Sequence, residues 1–142
     1  AQFYHFDLDR TKWLKVFIYL EDVTSDNAPH YYVEGSHKIN SKPKELLSKG
    51  YTRISDNDMS KFYDKDKFQC IYGKKGTVII GDTKCWHKGG FVKKGDRKLL
   101  QFQISSNLFG INVERKQIKN PSKNIISKKD FLDHYLQGIT IE

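Results

Sequence analysis

A histidine and an aspartate stand two residues apart near the start of the sequence, as His5 and Asp7 in QFYHFDLD (2–9). In an extended strand, residues i and i+2 project to the same face. An imidazole nitrogen and a carboxylate oxygen can then converge on one point, as metal ligands must. Alone the pair is a weak signal, since an ordinary surface strand has the same spacing. Support comes from GDTKCWHKGGFVKKGDRKLLQ (81–101), where His87 follows an apolar run. Two imidazoles and one carboxylate form the facial set that suits non-haem Fe(II), leaving three positions open for co-substrate and oxygen. Arg97, at the head of the next strand-like run, carries a planar, permanently charged fork that can grip a carboxylate through two hydrogen bonds. A hairpin between the two runs would hold it beside His87. Its plain alternative is a surface ion pair with Asp96 or another nearby acid.

These side chains need strands to position them. WLKVFIYLEDV (13–23) is the clearest, with Leu14, Val16, Ile18 and Leu20 on one face and Trp13, Lys15, Phe17 and Tyr19 on the other. Both faces are largely apolar, which predicts a strand covered on both sides. Lys15 interrupts the second face. A buried lysine requires a charge partner, so Lys15 is a candidate for an anionic co-substrate or a ligand carboxylate, with snorkelling to solvent as the alternative. Gln2 is a weaker candidate for the same anion. TSDNAPH (24–30) reads as a turn and YYVEG (31–35) as a short strand ended by Gly35.

SKPKELLSKG (41–50) predicts a short helix with Ser41 as N-cap, Pro43 in its first turn and Gly50 closing it. SDNDMSKFYD (55–64) suggests another helical turn. Strand patterns return at KFQCIYG (67–73), GTVIIGD (76–82) and KLLQFQISS (98–106), and the glycines of YGKKG mark a tight connection between the first two. SKKDFLDHYLQG (127–138) reads as a capped C-terminal helix, with His134 solvated or packed on it. Short strands separated by turn clusters, with helices at the margins, predict an antiparallel β-sandwich or barrel.

The 142 residues are 37% hydrophobic, enough for one domain over 1–142 with a single core. No apolar run approaches the ~20 residues that span a bilayer. The opening AQFYHFDLDR lacks a basic segment followed by an apolar run, which favours a cytoplasmic protein. Cys70 and Cys85 are too few for a disulfide framework and are expected to be reduced. The net charge of +8 invites a nucleic-acid partner. The lysines are scattered, however, and no nucleic-acid signature accompanies them, so a solvated basic surface or an anionic substrate is the better reading.

Taken in order, the segments resemble the phytanoyl-CoA dioxygenase family of Fe(II)- and 2-oxoglutarate-dependent oxygenases. HFD is similar to the family's His-x-Asp motif, and WLKVFIYLEDVTSDNAPHYYVEGSHK (13–38) to its strand, turn and G-S-H-K segment. GTVIIGDTKCWHKGG (76–90) resembles the strand carrying the distal histidine, and GDRKLLQFQIS (95–105) the strand bearing the 2-oxoglutarate arginine. The resemblance implies a mainly β fold, a double-stranded β-helix (jelly roll) with the metal at its mouth and a few short flanking helices. It implies His5, Asp7 and His87 as ligands of Fe(II), and Arg97 as the partner of the far carboxylate of 2-oxoglutarate. The implied reaction is hydroxylation of a small organic substrate with release of succinate and CO2. Halogenating members lack the carboxylate, so Asp7 favours hydroxylation.

The sequence also departs from the family. The interval from His87 to Arg97 is slightly short, and HKGG supplies no hydroxyl residue where relatives often have one after the distal histidine. Ser105 and Ser106 lie too far along the strand to substitute. Relatives usually carry a substantial segment before the His-x-Asp motif, and the chain is expected to lack it. The exposed sheet edge would then be covered by a second subunit, giving a homodimer. The rival reading is a non-catalytic or incomplete jelly roll that binds metal without closing a pocket around 2-oxoglutarate. Residues 39–66 are the candidate substrate loop. His37 is expected in a turn or packing role, His30 in a turn and either structural or near the pocket rim, Trp86 in the core, and Cys85 as a small buried residue on the face of His87.

Overall fold

The computed structural model describes residues 1–8, 13–50, 52–105, 116–118 and 139–141. In chain order its elements are β1 (Trp13–Tyr19), β2 (His30–Val33), α1 (Lys44–Leu47), α2 (Asp56–Met59), β3 (Phe68–Ile71) and β4 (Val78–Gly81), then β5 (His87–Gly89), β6 (Leu99–Ser105), β7 (Lys116–Ile118) and β8 (Ile139–Ile141). One three-stranded sheet has the order β4-β1-β6 and another the order β3-β2-β5. β1 runs antiparallel to β4, and β2 antiparallel to both its neighbours. From β3 onward successive strands alternate between the two sheets, as in the double-stranded β-helix expected of the sequence. β7 and β8 pair in parallel and belong to a second unit of the chain.

The alternation along β1 decides which side chains face inward. Phe17 lies opposite Ile79 in the ladder; both are buried, and with Tyr19 and Val23 they form a core cluster. The Tyr19 hydroxyl donates to the Ile71 carbonyl at 2.7 Å, tying the first sheet to β3 of the second. Among the described residues, the other face of β1 does not have the cover its apolar pattern predicts. Val16 and Ile18 pair with Ile80 and Val78, and on that face Leu14, Val78, Ile80, Leu100, Phe102 and Ile104 are exposed. An apolar alternation shows that a face could be buried, not that another layer lies on it.

One connection is as tight as the sequence suggested but joins two sheets, and another is not the hairpin suggested. The YGKKG turn links β3 to β4, which lie in different sheets. Gly76 takes φ +88° there, and its N–H donates to the Tyr19 carbonyl at 2.8 Å. The link from β5 to β6 likewise changes sheets. The physical reason is that strand periodicity identifies a face but not a partner.

α1 is preceded by Pro43 at its N-cap, not by Ser41; the Ser41 hydroxyl instead donates to the Gly35 and Lys38 carbonyls. Gly50 closes the segment with φ +72°, as its position suggested. α2 is capped by Ser55, whose hydroxyl accepts from the Asp58 N–H at 3.1 Å.

Trp86 is fully buried and meets Phe6 edge-on at 4.7 Å. Cys70 and Cys85 are free thiols. Among the described residues no helix is long and apolar enough to cross a membrane. The helix expected over 127–138, His134 and Ser106 lie outside the described residues.

Candidate metal and co-substrate site

The first residues of the chain form an extra edge beside β5. The His5 N–H donates to the His87 carbonyl at 3.0 Å, and the His87 N–H returns to the His5 carbonyl at 2.9 Å. Directly paired residues in an antiparallel ladder project to the same face. Asp7, two residues beyond His5, joins them on that face, and its own N–H is fixed to the Thr83 carbonyl at 2.8 Å. A pairing between the start of the chain and β5 thus assembles three side chains far apart in sequence.

The imidazoles are oriented by their own backbone. Nδ1 of His5 lies 3.0 Å from the Phe3 carbonyl, and Nδ1 of His87 lies 3.0 Å from the Cys85 carbonyl. A nitrogen facing a carbonyl oxygen must carry the proton, so each Nε2 keeps its lone pair. Those lone-pair atoms face the carboxylate: His5 Nε2 is 3.9 Å from Asp7 Oδ1 and His87 Nε2 is 3.8 Å from Asp7 Oδ2. One ligand atom from each of the three residues lies within 4.8 Å of the others.

The electrostatics suit a cation. Burial, then the neighbouring His5, pushes the His87 pKa down to about 4, and burial lowers that of His5. Both imidazoles are therefore neutral near pH 7, the form that binds metal. For Asp7, burial pulls the carboxyl upward, but the Lys15 hydrogen bond, His87 and Thr83 outweigh it and leave its pKa lowered. Lys15 Nζ sits 2.5 Å from Asp7 Oδ2, with both side chains 13% exposed. Of the two anions weighed for Lys15, the structure shows the ligand carboxylate at its ammonium.

An open cavity of about 580 Å³ adjoins the three residues, and Lys15, His30 and Arg97 help line it. Arg97 reaches the cavity from the segment before β6. Its Nη1 donates to the Ala28 carbonyl, and burial lowers its pKa. Among the described residues it has no acidic partner, so the surface ion pair with Asp96 is not formed. A Cβ placed on Gly89 would lie 3.5 Å from Arg97 Nη2, so the guanidinium passes over a position with no side chain.

His30, expected in a turn and either structural or near the pocket rim, lines the cavity. It is the first residue of β2, not part of the preceding turn, and is 7% exposed. Its ring lies 4.5 Å from that of Phe17 and parallel to Tyr19 at 6.3 Å. Its buried Nδ1 has no hydrogen-bond partner. Burial, then Arg97, pushes its pKa down to about 3. The available sequence signal was its spacing from Tyr32, which puts both on one face of β2.

The remaining candidates fall away from the chemistry. Gln2 is exposed and His37 sits exposed in a turn. Burial pushes the Cys85 thiol up to about 12, which keeps it an inert buried residue. No described residue of the 39–66 segment lines this cavity; its Asp56 instead holds Lys88 at 2.6 and 2.7 Å.

His5, Asp7 and His87 thus form a group that could hold a metal ion, beside a cavity that Lys15 and Arg97 also line. The chain belongs to the family described as Phytanoyl-CoA dioxygenase (PhyH), whose model matches residues 1–98. Among solved structures the chain is similar to apo HygX from Streptomyces hygroscopicus, with 25% identity and a TM-score of 0.48 over 64% of this chain and 36% of that one. It is also similar to EctD from S. alaskensis. The structure of EctD with 2-oxoglutarate and 5-hydroxyectoine gives 18% identity and a TM-score of 0.48, covering 72% of this chain and 38% of that one. The structure of EctD with bound Fe gives 18% and 0.49 over the same 72% and 38%. The chain spans little more than a third of the length of these structures. No curated protein matches it.

Proposed function

We propose that the chain carries the centre of an Fe(II)- and 2-oxoglutarate-dependent dioxygenase that hydroxylates a small organic substrate. The observation that carries this reading is the convergence of His5 Nε2, His87 Nε2 and the Asp7 carboxylate at a cavity whose lining includes Arg97. The donor set fits the metal: two neutral nitrogens and one carboxylate, each Nε2 aimed by a backbone hydrogen bond. When bound, iron and 2-oxoglutarate would supply the oxidising chemistry, with succinate and CO2 as co-products.

The chain's own residues would do the binding and positioning. His5, Asp7 and His87 would hold iron, and Lys15 keeps Asp7 ionised before the metal arrives. Arg97, free of any acid among the described residues, would take the far carboxylate of 2-oxoglutarate. Phe17 and Leu99 add apolar wall, which limits water near the reacting atoms. A volume of about 580 Å³ is within the range of small-ligand sites.

Calorimetric titration of two variants tests the assignment. His87→Ala should abolish Fe(II) binding. Arg97→Ala should retain iron and lose at least about 2 kcal/mol of 2-oxoglutarate affinity. Wild-type levels of co-substrate binding in both variants would refute it. Iron binding with no 2-oxoglutarate binding in the unaltered protein would favour a non-catalytic metal-binding jelly roll.

A further inference from the structure

We propose that His30 is a second anchor for the far carboxylate of the co-substrate, sharing it with Arg97. This inference rests on the function proposed above and extends it to a residue outside the metal set. His30 lines the cavity that Asp7, His87 and Arg97 also line. The β2–β5 register pairs His30 with Gly89 and Tyr32 with His87, so His30 and His87 project from neighbouring strands on the same face. At Gly89 there is no side chain to come between them and the guanidinium, which passes 3.5 Å from where a Cβ would sit.

The chemistry of His30 suits the role. Its ring is held by aromatic neighbours, with Phe17 at 4.5 Å and Tyr32 at 6.2 Å, so little rotamer entropy remains to be lost on binding. A neutral imidazole offers one N–H donor and one acceptor nitrogen. Buried polar atoms are nearly always paired, yet His30 Nδ1 has no partner. An unpaired buried group of this kind calls for an explanation, and a ligand in the adjoining cavity would supply one. A carboxylate shared by an N–H donor and the Arg97 fork would have donors from two directions, while Arg97 is itself braced on the Ala28 carbonyl. Ala28 is two residues before His30, so one short segment supports both groups.

The test is equilibrium titration of the Mn(II)-loaded protein with 2-oxoglutarate and with 2-oxobutyrate, which has the same keto-acid head and no far carboxylate. His30→Leu should weaken 2-oxoglutarate about tenfold or more, leaving 2-oxobutyrate and Mn(II) affinities unchanged. His30→Gln, which keeps a side-chain N–H, should retain most of the lost affinity. The unchanged metal and 2-oxobutyrate affinities would also show that the variant is folded. The inference is overturned if His30→Leu binds 2-oxoglutarate as tightly as the unaltered protein, or loses both keto acids equally. If the unaltered protein binds Mn(II) but neither keto acid, the proposed function fails and His30 falls with it.

Discussion

The Lys15 ammonium, 2.5 Å from the Asp7 carboxylate, acts with His87 and Thr83 to hold Asp7 ionised. Removing one partner of a buried pair leaves an uncompensated charge. Lys15→Met should therefore destabilise the metal-free protein by roughly 3 kcal/mol. A bound divalent cation would supply the missing positive charge, so the metal-induced rise in Tm should be larger in the variant than in the unaltered protein. An equal rise in both would contradict the pairing. The histidines make a second prediction. His5, His30 and His87 are all lowered by burial, His87 to about 4 and His30 to about 3. An unfolded histidine titrates near 6.5, so below that pH the unfolded chain binds more protons and stability falls as pH drops. Urea midpoints of the metal-free protein should decline from about pH 6.5 toward 4, and less steeply in His30→Leu. A flat profile would contradict the burial of these rings. At this scale the spacing of His5 and Asp7 was legible, because a period of two puts both on one face. Lys15 was legible as a charge interrupting an apolar face. His30 was legible only as structural or near the pocket rim, because its register with Gly89 is encoded by no local pattern.

β4 carries opposite fates in adjacent residues, Ile79 at 7% exposure against Phe17 and Ile80 at 68% on the outer face. Ile79→Ala should cost about 3 kcal/mol by emptying a packed position. Ile80→Ala should stay within about 0.5 kcal/mol. Comparison of their urea midpoints checks the orientation of the whole sheet, and equal losses would mean that the outer face is covered. The strands themselves were readable from alternation and β-branched content, and α2 as a helical turn within 55–64. Strand pairing was not. A hairpin from β3 to β4 and one from β5 to β6 both look natural in sequence, yet each link crosses between sheets. The crossing matters for the site, because it brings Arg97 from the head of β6 to the face that β5 presents.

The whole molecule carries a net charge of +8, and among the described residues three of its lysines are drawn inward. Lys42 and Lys88 are buried and Lys15 sits on Asp7. Lys42 donates to the Ser36 and Lys84 carbonyls beneath Trp86, and Lys88 is held by Asp56. Inside the cavity the positive charge is local, placed where a dicarboxylate would meet it. On the function proposed above, this cavity would hold iron and 2-oxoglutarate together. The most direct measurement is anaerobic titration of the Fe(II)-loaded protein with 2-oxoglutarate, following the visible charge-transfer band of the chelate. The band should grow in with the unaltered protein and be absent from His87→Ala. Iron demonstrably bound with no band at saturating 2-oxoglutarate would contradict the claim.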